Sequence, residues 1–263
     1  MPEVQQQPTP EAAAQRRSTA AMIRVDQATK RYGSTLAADR VSFEVRAGEI
    51  VGFLGPNGAG KSTVLKMIST WLPLTAGHIE VAGHDVEREP LAVRRALAYL
   101  PEHNAMYETM RVDRFLAFMG KARGLRGEAL ASRMEWVVRK CTLQAVLAKR
   151  INQCSKGYRQ RIGLAASLLH DPRVILLDEP THGLDPLQVV AFRDFIRELR
   201  EDRAILFSSH ILAEVIAICE RLLIINHGKL LADATVKDLT ARAKAAGRTL
   251  EEEVLEIVRK NKL

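Results

Sequence analysis

One nine-residue stretch constrains this chain more than any other: Gly55-Pro56-Asn57-Gly58-Ala59-Gly60-Lys61-Ser62-Thr63, which fits the pattern GxxxxGK[ST]. An apolar run from Ile50 to Leu54 precedes it and a helical stretch from Val64 to Thr70 follows, so the pattern stands in the strand-loop-helix setting that gives it meaning. Glycines open backbone angles closed to other residues, and successive amides can then turn inward around phosphate oxygens at a helix N-terminus. Lys61 adds a point charge at the outer phosphates. Ser62 presents a hydroxyl to Mg²⁺, which prefers hard oxygen ligands. The stretch predicts nucleotide binding but does not choose among transport, signalling and repair.

A second apolar run, Val174 to Leu177, ends in Asp178-Glu179-Pro180. The carboxyl ends of buried parallel strands meet at the ligand edge of an α/β sheet, which would place both acids beside the phosphate loop. Asp178 is then the expected partner of the Mg²⁺ shell, and Glu179 the carboxylate that polarises an attacking water. The plainer reading is a pair of surface acids closing a strand. His210 follows a third such run, Ala204 to Phe207, and Ser208-Ser209. An imidazole there can donate from one nitrogen and accept at the other, and so sense the terminal phosphate. Taken alone, a histidine at a strand end is an ordinary structural hydrogen-bonder.

Around these segments the patterning divides the chain. Residues 1–21 are rich in Gln, Pro, Ala and Arg without apolar periodicity and are expected to form a tail with no apolar signal-peptide core. Alternating runs at Met22 to Thr29, Val41 to Val45 and His78 to Val81 predict an antiparallel sheet. Continuous apolar runs at Ile50 to Leu54, Val174 to Leu177, Ala204 to Phe207 and Leu222 to Ile225 predict parallel strands covered on both faces. A mostly helical insert spans about residues 103–161, with amphipathic stretches at Val112 to Ala122 and Glu128 to Lys140. Helices near Val236 to Ala245 and Leu250 to Lys260 form a C-terminal extension, residues 235–263.

The 263 residues suffice for one to two domains. Three dispersed cysteines offer neither a disulfide framework nor a zinc pattern, so a reducing cytosol is expected. The longest apolar stretches are too short or too charged to span a bilayer. The net charge of +8 is concentrated in the insert, where thirteen Lys and Arg, Arg123 and Arg126 among them, face four acids. That segment is either a solvated face or a surface opposite anionic headgroups or an acidic partner.

The order of motifs over roughly Met22 to Asp233 resembles the ATP-binding subunit of an ABC transporter. Gly55 to Thr63 resembles its Walker A loop, with Gly55, Pro56, Asn57, Gly58, Ala59, Gly60, Lys61, Ser62 and Thr63 holding ATP. Asp178 and Glu179 match the Walker B aspartate and catalytic glutamate, Gly183-Leu184-Asp185 the D-loop, and His210 the switch histidine. Tyr32 resembles the aromatic that stacks on adenine. The signature segment reads Cys154-Ser155-Lys156-Gly157-Tyr158 in place of the usual LSGGQ, keeping Ser155 and Gly157. In Ala98-Tyr99-Leu100-Pro101-Glu102, Glu102 stands where the Q-loop commonly has Gln, and as a carboxylate it can ligate Mg²⁺. These two variant strings look like those of exporter-type bacterial subunits, including gliding-motility and multidrug systems.

The resemblance implies a fold: an α/β P-loop NTPase core (residues 22–234) with a mostly parallel sheet, an N-terminal antiparallel β-subdomain and an inserted α-helical subdomain. It implies an ATPase that uses ATP and Mg²⁺. ATP would be sandwiched in a head-to-tail homodimer or heterodimer, with Ser155 and Gly157 gripping nucleotide held by the opposite subunit. It implies a separate transmembrane permease contacted through the insert, a peripheral place on the cytoplasmic face of the cell membrane, and export. A soluble ABC-type ATPase acting on ribosome or DNA is the alternative that the basic charge permits, although the paired cassettes, coiled-coil arms and zinc inserts usual there are missing, so no nucleic-acid partner is expected. A kinase sharing the phosphate loop would leave Ser155 to Gly157 and His210 unexplained.

Overall fold

The computed structural model describes residues 21–181 and 184–260. The tail expected over 1–21 lies outside the described residues except for Ala21, which already opens the first strand. Strands β1 (Ala21–Tyr32) and β2 (Thr35–Arg46) form a long hairpin, and β1 pairs on its other side with β4 (Ala76–Val81), itself bordered by the short β5 (His84–Asp85). All these pairings are antiparallel, as the alternating sequence predicts.

The second sheet has six strands in the order β10-β9-β3-β8-β7-β6: β10 (Lys229–Thr235), β9 (Arg221–Asn226), β3 (Ile50–Leu54), β8 (Ala204–Ser209), β7 (Val174–Asp178) and β6 (Leu97–Leu100). The five from β9 to β6 run parallel, and β10 closes one edge antiparallel. Every residue of β3, β7 and β8 is buried, which is why these strands read as unbroken apolar runs. The two-residue period of the strand still operates inside them. Ile50, Leu54, Ile175, Leu177, Ile205 and Phe207 join one core with the helical part, whereas Val51, Phe53, Val174, Leu176, Ala204 and Leu206 join another under the antiparallel sheet.

Helix α1 (Lys61–Ile68) follows β3, and α2 (Pro90–Ala96) leads into β6. The insert carries α3 (Val112–Ala122), α4 (Gly127–Lys140) and α5 (Lys156–Leu168), and β7 and β8 are joined through α6 (Pro186–Leu199). Helix α7 (Leu212–Ile216) follows β8; α8 (Val236–Ala245) and α9 (Leu250–Lys260) end the described chain. Leu239 and Val254 of these last helices belong to the same buried cluster as the parallel strands. No helix among the described residues is long and apolar enough to cross a membrane.

Two local expectations need correction. Helix α1 begins at Lys61 rather than Val64 and stops at Ile68, because its N-cap is the left-handed Gly60 and Thr70 turns to φ +63°. Strand β6 was not expected as a strand: Leu97-Ala98-Tyr99-Leu100 follows a helix without a Gly or Pro boundary, and it is pairing with β7 that makes it extended. Arg123 and Arg126 are exposed, as a docking surface requires, but both guanidinia also brace backbone: Arg123 donates to the Arg94 carbonyl at 2.6 Å, and Arg126 to those of Lys121 and Leu125 at 2.6 and 2.7 Å.

His170, just past α5, ties the end of that helix to the start of β6 by donating from Nε2 to the Leu97 carbonyl at 3.1 Å. Burial, and then the charge of Arg123, pull its pKa from 6.5 down to about 4. The folded chain therefore keeps His170 neutral where the unfolded chain takes up a proton, and stability should fall as pH drops from about 6.5 towards about 4. His170→Gln, which keeps a donor, is expected to flatten that slope in urea unfolding midpoints measured between pH 7 and pH 4.5. Parallel pH profiles for the two proteins would contradict this.

Candidate active site

The parallel register explains why the predicted residues meet. In adjacent strands Leu54 pairs with Ser209 and Ser208 with Asp178, so the ends of β3, β8 and β7 lie side by side. The loop leaving β3 turns over this edge. Gly60 has φ +106°, and a Cβ there would stand 2.5 Å from the Ala37 carbonyl oxygen, so the position requires both the backbone freedom and the small size of glycine. Gly228 lies beside Ala37 and also holds the loop, its amide donating to the Ala59 carbonyl at 2.8 Å. The resulting cavity of about 510 Å³ is lined by Asn57 through Thr63 together with Glu102, Glu179 and residues Thr35, Leu36, Ala37, His227 and Gly228.

Lys61 points back into its own loop, donating from Nζ to the carbonyls of Gly55 at 2.7 Å and Pro56 at 3.2 Å. The same ammonium lies 3.4 Å from Glu179 Oε1, with both side chains buried. Glu179 itself sits at φ +47°, immediately past β7, and its Oε1 has no hydrogen-bond partner among the described residues. His210 Nδ1 is 2.9 Å from Glu179 Oε2; because an ionised carboxylate only accepts, Nδ1–H is the donor. Asp178 is 2% exposed and surrounded by hydroxyls. Ser62 Oγ donates to its Oδ1 at 3.2 Å, Ser208 Oγ to the same oxygen at 2.7 Å, and the Tyr99 hydroxyl to Oδ2 at 3.3 Å. Burial, followed by the Asp178 charge, pushes the Tyr99 phenol well above its ordinary pKa, so it remains a donor.

Hard oxygens from Ser62 and Asp178 thus lie side by side, a donor set that suits Mg²⁺. No group of three His, Cys, Asp or Glu side chains among the described residues could hold a metal alone. A divalent ion here would need phosphate oxygens to complete its shell, the usual arrangement for Mg²⁺ at nucleotide sites.

The remaining expected residues lie apart from this centre to different degrees. Glu102 lines the cavity. Tyr32 does not, although it pairs across the hairpin with Thr35, which does; its ring is half exposed and has Lys30 Nζ 5.4 Å from its centroid. Ser155 and Gly157 also stand off the cavity lining, at the head of α5. Ser155 caps that helix, accepting from the Tyr158 amide at 3.4 Å. A Cβ on Gly157 would come within 2.2 Å of Gln188 Oε1, so the Gln188 amide of α6 lies over the first turn of α5. Gly183 lies outside the described residues; Asp185 of the same expected D-loop caps α6, accepting from the Gln188 amide at 2.9 Å.

Three partners escaped sequence reasoning. Ser208 bonds both Asp178 and the Glu179 amide, the latter at 3.2 Å. Glu214 Oε2 accepts from Thr181 Oγ1 at 2.6 Å and Ser209 Oγ at 3.2 Å, joining the segment after Glu179 to the one before His210. Tyr99 is the third. Ser208 alone carried a signal, because it lies near the end of a buried parallel strand beside another that ends next to acids.

A family model described as "ABC transporter" matches residues 38–182. The chain belongs to the ABC transporter family, as an ATP-binding subunit. A shorter match, residues 150–217, is to an "AAA domain, putative AbiEii toxin, Type IV TA system" and covers the strand that ends in Asp178, with Glu179 after it. ABC transporter ATP-binding protein NatA of Bacillus subtilis is 37% identical over 201 residues, 76% of this chain and 82% of the relative. Daunorubicin resistance ATP-binding protein DrrA3 of Streptomyces coeruleorubidus is 37% identical over 220 residues, 83% of this chain and 70% of the relative. Among solved structures, an ATP-binding subunit of an ABC transporter superposes with a TM-score of 0.82 at 30% identity, covering 90% of this chain and 99% of the other. This ABC subunit is an ATPase with the P-loop cassette fold.

Because Gly60 combines a left-handed φ with backbone contact, Gly60→Ala should lower stability by about 1–3 kcal/mol and weaken nucleotide binding. Gly58 also has a positive φ, +79°, but nothing lies within 4 Å of a Cβ there, so Gly58→Ala should cost only the conformational strain of about 1–2 kcal/mol. Denaturant unfolding paired with calorimetric ATP titration measures both. Equal effects at the two positions would refute the close-packing argument.

Proposed function

We propose that this chain is the ATP-hydrolysing motor of an exporter-type ABC transporter, binding Mg-ATP at a subunit interface and acting on a separate membrane permease from the cytoplasmic face. The observation that carries the reading is the convergence of Lys61, Glu179 and His210 at one sheet edge, with a buried carboxylate oxygen of Glu179 directed at the Lys61 ammonium. The amides of Gly55 to Thr63 would cradle phosphate oxygens, and Lys61 would exchange its carbonyl partners for the outer phosphates. Ser62 and Asp178, with Glu102, would hold Mg²⁺, which when bound offsets phosphate charge. Tyr32 would stack on adenine.

In the chemical step Glu179 accepts a proton from the attacking water. His210 holds the Glu179 carboxylate by its Oε2; Oε1, which faces the Lys61 ammonium at 3.4 Å, would turn to the water once Lys61 moves to the phosphates, and the exposed side of His210 can reach the terminal phosphate. Ser155 and Gly157, with the free amides at the head of α5 and the charge of Lys156, form an anion site off this chain's own cavity. That placement supports a role in completing the site of an opposite subunit, with the Gln188 side chain of α6 lying over Gly157.

Export is supported by the resemblance of Ser155-Lys156-Gly157-Tyr158 and Pro101-Glu102 to exporter-type subunits and by similarity to a drug-resistance ATP-binding protein. The basic insert supports contact with acidic permease loops and anionic headgroups.

Glu179→Gln is expected to retain ATP binding, to lose turnover by about 10²- to 10⁴-fold, the usual contribution of a positioned base, and to accumulate as a dimer on size exclusion in Mg-ATP. Hydrolysis at the parent rate would remove Glu179 from the base role. Loss of turnover with a strictly monomeric profile would argue against the shared site.

A further inference from the structure

Tyr99 occupies a position that neither the nucleotide loop nor the hydrolytic residues account for. In the parallel register it pairs with Leu176, two residues before Asp178, so the strand period directs Tyr99, Leu176 and Asp178 to the same face of the sheet. That face carries α1, the helix that begins at Lys61. The phenol reaches past the strand end to Asp178 Oδ2 at 3.3 Å, the oxygen that neither Ser62 nor Ser208 contacts. On its other side the ring meets Trp71 edge-on, centroids 6.1 Å apart at 77°. Trp71 lies just after α1, is 65% exposed, and has Lys66 Nζ 5.9 Å from its own centroid.

We propose that Tyr99 is a positioning residue for the metal-side carboxylate, fixing Asp178 by its Oδ2 so that Oδ1 stays turned to Ser62, with Trp71 bracing the phenol from the surface. A carboxylate held at one oxygen only can rotate about its Cβ–Cγ bond. Bonds to both oxygens remove that rotation, and a metal finds Ser62 and Asp178 already aligned. Hydrogen bonds of this kind to metal-ligating groups typically change metal affinity by about 10- to 100-fold. The long 3.3 Å bond belongs at the lower end of that range. The inference rests on the reading of Asp178 as the carboxylate facing Mg²⁺.

The experiment is a titration of the full chain, saturated with ADP, with Mn²⁺ followed by electron paramagnetic resonance. Tyr99→Phe keeps the ring against Trp71 and loses only the hydroxyl. It should weaken Mn²⁺ binding by about tenfold while leaving ADP affinity in EDTA unchanged. Trp71→Ala, a surface change, should weaken Mn²⁺ in the same direction by less, and should have no further effect once Tyr99 is Phe. Asp178→Asn calibrates the site: if it leaves Mn²⁺ affinity intact, Asp178 does not face the metal and the underlying reading fails. If Asp178→Asn weakens Mn²⁺ but Tyr99→Phe does not, or if Tyr99→Phe weakens metal-free ADP equally, the positioning role is overturned and the reading of Asp178 survives.

Discussion

Lys61 carries a full charge at only 6% exposure, and the local architecture compensates it. An ammonium so placed loses several kcal/mol of hydration unless it is paired and hydrogen-bonded. Two loop carbonyls and the Glu179 carboxylate supply that compensation. Each comes from a strand end: Gly55 and Pro56 follow β3, and Glu179 follows β7. These groups meet only because β8 lies between those strands in parallel register. The arrangement is satisfied yet replaceable, since phosphate oxygens can substitute for the carbonyls, whereas the Glu179 oxygen near Lys61 has no hydrogen bond of its own to lose.

Hydrogen bonds spread from this pair into the helical part. Gln160 of α5 donates to the Pro180 carbonyl at 3.0 Å, immediately after Glu179, so the helix capped by Ser155 is tied to the end of β7. Asp185 caps α6, and the Gln188 side chain of that helix lies over Gly157. Glu214 ties the residues after Glu179 to those before His210. Three separate segments of sequence are therefore held by side chains that do not line the cavity. A change at the head of α5 has a bonded route to the Glu179 loop.

Much of this was legible in the sequence because strand-loop-helix grammar is local. Lys61 and Ser62 lie between an apolar run and a helical stretch, Asp178 follows another run, and His210 lies just past a third; each position could be read without knowing the neighbouring strands. Helices α3, α8 and α9 were equally plain, their apolar stripes being long and periodic. What escaped was what depends on pairing across the chain. Tyr99 reaches Asp178 only through β6–β7 register, and β6 is too short to show a period of its own. Glu214 has its partners, Thr181 and Ser209, in two other segments. Arg123 and Arg126 showed their charge but not the carbonyls they brace.

The central claim is that a buried ammonium, held in readiness by replaceable partners, is what makes this edge a nucleotide site. Calorimetric titration of ATP into Lys61→Ala, alongside far-ultraviolet circular dichroism, tests it most directly. The account predicts a native spectrum with ATP binding lost. A native spectrum with ATP affinity equal to that of the parent chain would contradict it.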